Sequence, residues 1–224
     1  MTIFSFNSKK RSPSARPIPQ GVKETEHKQF PLAGIVLAAG RGSRFDPSGK
    51  QSKLLQAIDG IPMLAMTVST LNEVLDDIVV VLRDDDHRYA LEQVAQSFGA
   101  KTVTCPDASS GMGHSLAWGV SYVNAHFDCV GALISLGDMP YVRAQTIASL
   151  AKHIRKPSDL AALRFAGRIG HPVGFGSDYF GQLGALTGDQ GAKRMLDQYN
   201  TVMVDTLDPG VLRDIDRPAD IYLG

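Results

Sequence analysis

Three short, nearly uninterrupted apolar runs decide most of what this chain can become. They are Leu32-Ala33-Gly34-Ile35-Val36-Leu37, Asp77-Ile78-Val79-Val80-Val81-Leu82 and Val130-Gly131-Ala132-Leu133-Ile134-Ser135-Leu136. Each is far too short to cross a membrane, and none alternates with polar residues as a half-wet strand does. Runs of this kind are strands buried on both faces. Helical periodicity lies between them. Residues 62–75 read as a helix with Pro62 in its first turn, and Asp86 can cap a helix running to Phe98 that Gly99 ends. Residues 101–104 read as a short strand, 114–125 as a helix, and 145–155 as a helix stopped before Pro157. Strand and helix alternating in this way build right-handed βαβ units. The expected fold is a three-layer, Rossmann-like α/β architecture, a mostly parallel sheet with helices on both faces. The last third is less regular. Residues 160–163 and 173–175 read as strand pieces flanking a Gly-rich turn, 190–199 as a helix, and 202–205 as an edge strand.

Length and charge narrow the class. The 224 residues suit one domain over 31–224, preceded by a leader over 1–30. That leader holds six Lys and Arg against two Glu among Pro, Ser and Gln, so it reads as a flexible basic arm. The whole chain is neutral, with 23 Lys+Arg and 23 Asp+Glu, which argues against a dedicated nucleic-acid binder. No apolar run is long enough for a membrane helix. Cys105 and Cys129 frame neither a disulfide scaffold nor a metal site, so a reducing, cytoplasmic location is expected.

In open α/β sheets ligands bind at the carboxyl ends of strands, so the loops there carry the chemistry. The first is Leu37-Ala38-Ala39-Gly40-Arg41-Gly42-Ser43-Arg44-Phe45, leading on to Lys53. Its glycines let backbone N–H groups approach an oxyanion, and Arg44 and Lys53 add positive charge, which suits a triphosphate. No Gly-Lys-Ser/Thr closes it as in a P-loop, and Phe45 stands where a dinucleotide fingerprint has its third glycine. By spacing alone, an ordinary tight strand-to-helix turn is as good a reading. The second loop is Gly137-Asp138-Met139-Pro140. An Asp after a buried strand is a standard Mg²⁺ carboxylate, though also a common turn cap. The third, Ser109-Ser110-Gly111-Met112-Gly113-His114-Ser115, puts small residues and free N–H groups at a helix start. Ser115 or the backbone can meet a base or ribose, and plain helix capping competes with that reading. Further on, Gly170-His171-Pro172-Val173-Gly174 reads as a compact turn, Gly188-Asp189-Gln190-Gly191 as a capped helix start, and Asp214, Asp216 and Asp220 as an acidic turn. No Ser or Cys partners His171 as in a triad.

Taken in order, these motifs resemble the molybdenum cofactor nucleotidyltransferases. The resemblance rests on Leu37-Ala38-Ala39-Gly40-x-Gly42-x-Arg44-Phe45, Lys53-Leu54-Leu55, Gly60-x-Pro62-Met63-Leu64, Gly111-Met112-Gly113-x-Ser115-Leu116, Leu136-Gly137-Asp138-Met139-Pro140, Gly170-His171-Pro172-Val173, Gly188-Asp189-x-Gly191-Ala192 and Asp214-Ile215-Asp216-x-Pro218-x-Asp220. It covers residue 32 to the end of the chain. It implies a nucleotidyltransferase fold and transfer of a nucleoside monophosphate from an NTP to a phosphorylated acceptor, with release of pyrophosphate. It also implies that Leu37, Ala38, Ala39, Gly40, Gly42, Arg44, Lys53, Gly111, Gly113 and Ser115 hold the nucleotide. Arg44, Lys53 and Asp138 would carry catalysis, Asp138 with Asp214 or Asp216 would bind Mg²⁺, and His171 and Asp189 would face the acceptor. The Leu-Ala-Ala-Gly opening is similar to the branch that uses CTP and makes molybdopterin cytosine dinucleotide. A molybdoenzyme awaiting its cofactor would then receive the product. Two alternatives stand beside it: a transferase of the same fold using GTP or another phosphorylated acceptor, and a carrier that binds the finished cofactor without turnover. Two features depart from the family pattern. Cys105-Pro106-Asp107 stands where relatives often begin with Asn, and residues 46–52 form a longer stretch that adds Lys50 as a second candidate phosphate contact.

Overall fold

The structure, a computed structural model, describes residues 31–189 and 191–222. The basic leader expected over 1–30 lies outside the described residues. The chain runs β1 (Leu32–Ala38), β2 (Ala57–Ile58), β3 (Ile61–Pro62), α1 (Met63–Asn72), β4 (Asp77–Arg83), α2 (Arg88–Ser97), β5 (Lys101–Cys105), α3 (Met112–His126) and β6 (Gly131–Leu136). It continues through α4 (Ala144–Ala151), β7 (Leu160–Phe165), β8 (Arg168–Gly176), α5 (Phe180–Gly184), α6 (Lys193–Gln198) and β9 (Val202–Asp205). Seven strands form one sheet in the order β5-β4-β1-β6-β8-β7-β9. β1 pairs in parallel with both β4 and β6, and β4 with β5. β8 is the one reversed strand of this sheet, antiparallel to both β6 and β7.

The three apolar runs are the buried centre. Successive side chains of a strand point to opposite faces, and two cores follow from that. Val36, Val80 and Leu133 face one core with Leu64, Val68 and Leu71 of α1, Leu91 of α2 and Ile147 and Leu150 of α4. Ile35, Val79, Val81 and Ile134 face the other, with Leu116, Val120 and Val123 of α3, Leu183 of α5 and Leu196 of α6. That is the three-layer arrangement the alternation requires. The chain moves from β1 outward through β4 and β5, then returns to β6 on the opposite side of β1. Loops leaving β1 and β6 therefore diverge and open a crevice at their carboxyl ends.

Several expected boundaries shift, each for a local reason. Pro62 is not in the first turn of α1. It pairs with Ala57 in a two-residue ladder and is the residue before the helix, with ψ at 139°. Asp86 does not cap α2, which begins at Arg88 after the Asp85 carboxylate accepts from the His87 N–H at 3.0 Å. The helices expected over 145–155 and 190–199 are the shorter α4 and α6. The largest change concerns Gly170-His171-Pro172-Val173-Gly174, which lies inside β8 and is not a turn. Its glycines mark close approach: a Cβ at Gly170 would meet the Val211 carbonyl, and one at Gly174 would meet Ile154. The turn itself is Ala166-Gly167, both with positive φ, joining β7 to β8.

Candidate functional site

The loop after β1 is anchored before it can reach a ligand. Phe45 is buried, and its N–H and that of Asp46 both donate to the Gly42 carbonyl, at 2.9 and 3.0 Å. Phe45 thus serves the core in the place where a dinucleotide fingerprint needs a glycine. Beyond it the Asp46 carboxylate accepts from the Ser48 hydroxyl (2.7 Å), the Gln51 N–H (2.8 Å) and the Ser48 N–H (2.9 Å). Those bonds, the Ser48 hydroxyl first, hold Asp46 below the usual carboxylate range and close the extra stretch on itself. Lys50, at the far end of that stretch, is exposed.

Lys53 points the other way, into the crevice. Its side chain is 11% exposed, and its Nζ donates to Asp138 Oδ2 at 2.5 Å, to the Ile215 carbonyl at 3.1 Å and to Asp216 Oδ1 at 3.3 Å. Arg44, largely exposed, pairs with the other oxygen of Asp216. Two cations and two carboxylates therefore interlock where β1 and β6 end. The backbone explains their meeting. The Gly137 N–H donates to the Leu37 carbonyl at 2.9 Å, tying the loop after β6 to β1. The Ile215 N–H donates to the Asp138 carbonyl, also at 2.9 Å, stitching the C-terminal segment onto the same point. That stitch turns Asp216 inward. Asp214, two residues earlier, is exposed, and its charge is felt at His171. Asp220 is structural, accepting from the N–H groups of Asp216 and Arg217.

One atom of this cluster is unsatisfied. Asp138 Oδ1 is buried and has no hydrogen-bond partner. Buried carboxylate oxygens ordinarily have one. No group of three or more His, Cys, Asp or Glu with metal-binding geometry occurs among the described residues. A hard divalent cation that keeps phosphate and water ligands needs only one or two protein carboxylates. The free Asp138 oxygen, with Asp216 across from it, fits that requirement.

The start of α3 is less open than its sequence suggests. Gly111 has φ +124°, and a Cβ there would strike the Gly188 carbonyl. The Gly113 N–H already donates to that same carbonyl at 2.8 Å. Ser115 is buried, and its hydroxyl hydrogen-bonds the Cys105 thiol. Burial pushes that thiol above its ordinary value. Asp189 is exposed on the loop that packs against Gly111. His171 sits instead in β8, half-buried, with Nδ1 3.4 Å from the Ile134 carbonyl. No hydrogen bond or ion pair among the described residues joins His171 to Asp189. Leu37 is half-buried, and Ala38 and Ala39 are buried, at the end of β1. Gly40 is exposed, with open space where a Cβ would be. The sequence reading misses Arg83, the last residue of β4, whose Nε–H donates to the Ala39 carbonyl at 3.1 Å. The available signal was a cation closing an otherwise buried strand, at the end of the sheet where ligands bind.

Burial holds the His171 imidazole below its ordinary value. An imidazole in the unfolded chain titrates near about 6.5, so below that pH the unfolded state binds the extra proton and native stability falls. The melting temperature of the wild type should therefore drop more between pH 7 and pH 5 than that of His171→Gln. Equal drops would show that this ring contributes nothing to acid sensitivity.

Comparison with known proteins agrees with the fold. Residues 34–202 match the family of the MobA-like NTP transferase domain. The purine catabolism protein PucB of Bacillus subtilis is 29% identical over 200 residues, covering 84% of this chain and 93% of PucB. The bifunctional protein GlmU of Stenotrophomonas maltophilia is 32% identical over 166 residues, and this chain spans about a third of its length. Among solved structures, Rv0371c of Mycobacterium tuberculosis in complex with manganese superposes with a TM-score of 0.68 at 24% identity, covering 86% of this chain and 96% of that one. The chain belongs to the MobA-like NTP transferase family and is a nucleotidyltransferase.

Proposed function

We propose that the enzyme moves CMP from CTP to the phosphate of a molybdopterin-type acceptor, releasing pyrophosphate and giving molybdopterin cytosine dinucleotide. The observation that carries the reading is the unpartnered Asp138 oxygen beside the Lys53–Asp216 pair, at the crevice between β1 and β6. The Leu37-Ala38-Ala39-Gly40 opening supports CTP, and the run of motifs from Lys53 to Asp220 supports the molybdopterin acceptor.

The chain's own groups suit this chemistry. An acceptor phosphate oxygen attacks the α-phosphorus, a new P–O bond forms, and the bond to the β-phosphate breaks. The acceptor is already ionised, so no strong general base is needed, and the site has no triad to supply one. What the reaction demands is cations and N–H donors for the negative charge gathered around one phosphorus. Lys53 and Arg44 provide two such cations within reach of the loop after β1. Asp138 and Asp216 would hold Mg²⁺, which when bound neutralises charge on the leaving pyrophosphate. The occupied Gly113 N–H and the buried Ser115 leave Gly40, exposed just after the buried Ala38 and Ala39, as the more accessible part of the nucleotide site.

A thermal-shift panel of CTP, GTP, ATP and UTP, each with and without Mg²⁺, tests the nucleotide. A ligand at about 100 times its Kd that binds only the folded state adds roughly 2.7 kcal/mol. A Mg²⁺-dependent shift with CTP alone is expected, followed by pyrophosphate release when molybdopterin is added. A shift with GTP alone would assign the enzyme to guanylyl transfer. CTP binding without release of pyrophosphate would replace catalysis by carriage.

A further inference from the structure

β4 ends in a charge that the sheet has no use for. Ile78 through Leu82 are buried, and Arg83 follows, half-buried, level with Cys105 of β5. Its side chain makes one hydrogen bond within the described residues, from Nε–H to the Ala39 carbonyl, at 3.1 Å. Arg44, Arg88, Arg143 and Arg164 each have a carboxylate partner. Arg83 has none among the described residues; Arg41, Arg168, Arg194 and Arg217 have none either but are exposed, and Arg213 lies over the Tyr141 ring. Withdrawing a guanidinium from water without a counter-charge is unfavourable, and its terminal N–H groups are left to donate elsewhere.

Position says what they meet. Arg83 lies one strand from β1, on the side away from β6, and therefore away from Asp138. Ala39 and Cys105 bound it, so with the phosphates at Lys53 and Asp138, as proposed above, the nucleoside would lie on its side of the crevice. Asp84, Asp85 and Asp86 come immediately after it and are exposed. Asp84 pairs with Arg88, and the carboxylates of Asp85 and Asp86 make this a poor place for a further phosphate and a tolerable one for a neutral group rich in acceptors. With Nε fixed on the Ala39 carbonyl, the terminal N–H groups form a rigid two-donor fork referenced to the very loop that opens the nucleotide site.

We infer that Arg83 is a nucleobase-specificity residue, its terminal N–H groups donating to two adjacent acceptors on one edge of the base. Cytosine offers O2 and N3 side by side, and guanine offers O6 and N7. Uracil has an N–H between its two carbonyls, and in adenine N1 and N7 each lie beside the amino donor on C6. The fork therefore prefers cytosine or guanine to uracil or adenine. With the cytidylyl reading proposed above, on which this rests, the base is cytosine.

Titration calorimetry in Mg²⁺ decides it, with CTP, UTP, GTP and inorganic tripolyphosphate as probes of wild type, Arg83→Gln and Arg83→Lys. Arg83→Gln should weaken CTP about tenfold to a hundredfold, bring CTP and UTP close together, and leave tripolyphosphate unchanged. Arg83→Lys should fail to restore the preference, because it keeps the charge and loses the fork. Equal weakening of CTP and tripolyphosphate would overturn the inference in favour of a phosphate contact. An intact CTP preference in Arg83→Gln would overturn it in favour of a residue that only pins Ala39. Wild type preferring GTP, with that preference erased in Arg83→Gln, would sink the cytidylyl reading and keep the role of Arg83. No nucleotide binding by wild type would overturn both.

Discussion

Asp138→Ala should reduce Mg²⁺-dependent transfer about a hundredfold to a thousandfold, the scale seen when one preorganised charge-stabilising group is removed from an active site. Asp138 has two oxygens with different tasks. Oδ2 fixes Lys53, and Oδ1 is buried with nothing bound to it. Alanine removes both at once, so Lys53 loses its nearest anchor and Asp216 is left as the one carboxylate on it. Asp138→Asn separates the two contributions. It preserves the shape, an acceptor for Lys53 and the packing, while removing the charge a divalent ion needs. If the charge matters, Asn should be nearly as inactive as Ala. The fold should hardly notice either change. Lys53 keeps Asp216 and the Ile215 carbonyl, and an unpartnered buried carboxylate oxygen disappears, so stability should move by no more than about 1 kcal/mol. Near-normal turnover of Asp138→Ala in Mg²⁺ would remove Asp138 from the catalytic set.

Gly111→Ala should produce the largest loss of stability from a single methyl group near the site. Two independent costs act there. At φ +124° and ψ 167° the backbone lies in a region that only glycine occupies readily, worth about 1–3 kcal/mol of strain to any other residue. The new Cβ would also overlap the Gly188 carbonyl, and relieving that overlap lifts the loop that satisfies the Gly113 N–H. Overpacking of this kind adds about 1–3 kcal/mol. A combined loss on the order of 3 kcal/mol corresponds to a fall of about 10 °C in melting temperature for a domain of this size. Gly40→Ala is the matched control, because nothing lies within 4 Å of its Cβ position. It should melt within about 2 °C of wild type. A Gly111→Ala protein that melts alongside this control would mean the loop carrying Asp189 is not held against α3 as described.

The architecture was legible because burial on both faces leaves a mark in sequence. Ile35-Val36, Val79-Val80-Val81 and Leu133-Ile134 must be apolar whichever way they point, and their shortness and β-branched content separate them from a buried helix. β8 escaped for the opposite reason. Its glycines read as a compact turn in the sequence, whereas they record how closely Val211 and Ile154 approach. The site was legible in its residue types and not in its pairings. Asp214 and Asp216 are equivalent acids in a string of letters. Only the bond from the Ile215 N–H to the Asp138 carbonyl, a contact across 77 positions, decides which one turns toward Lys53. The free N–H groups expected at the start of α3 were counted locally, and one is taken by Gly188, 75 residues further on. Arg83 was invisible because one cation after a strand is ordinary until its missing counter-ion is seen.

The central position of β1 has a consequence for how the chain must be made. Its two neighbours differ greatly in when they arrive: β4 follows within about fifty residues, but β6 pairs Ile134 with Ile35 across about a hundred. During synthesis from the amino end, β1, β4 and β5 can assemble early, yet one edge of β1 then carries unpaired N–H and C=O groups beside Ile35, which α3 has still to cover. That edge is a template for wrong pairing until β6 emerges, and α3, which covers Ile35, precedes it only by a few residues. Slow elongation through residues 84–130 should therefore be the hazardous interval for aggregation in the cell. A chaperone that holds apolar strand edges would act there, before Asp138 has been translated.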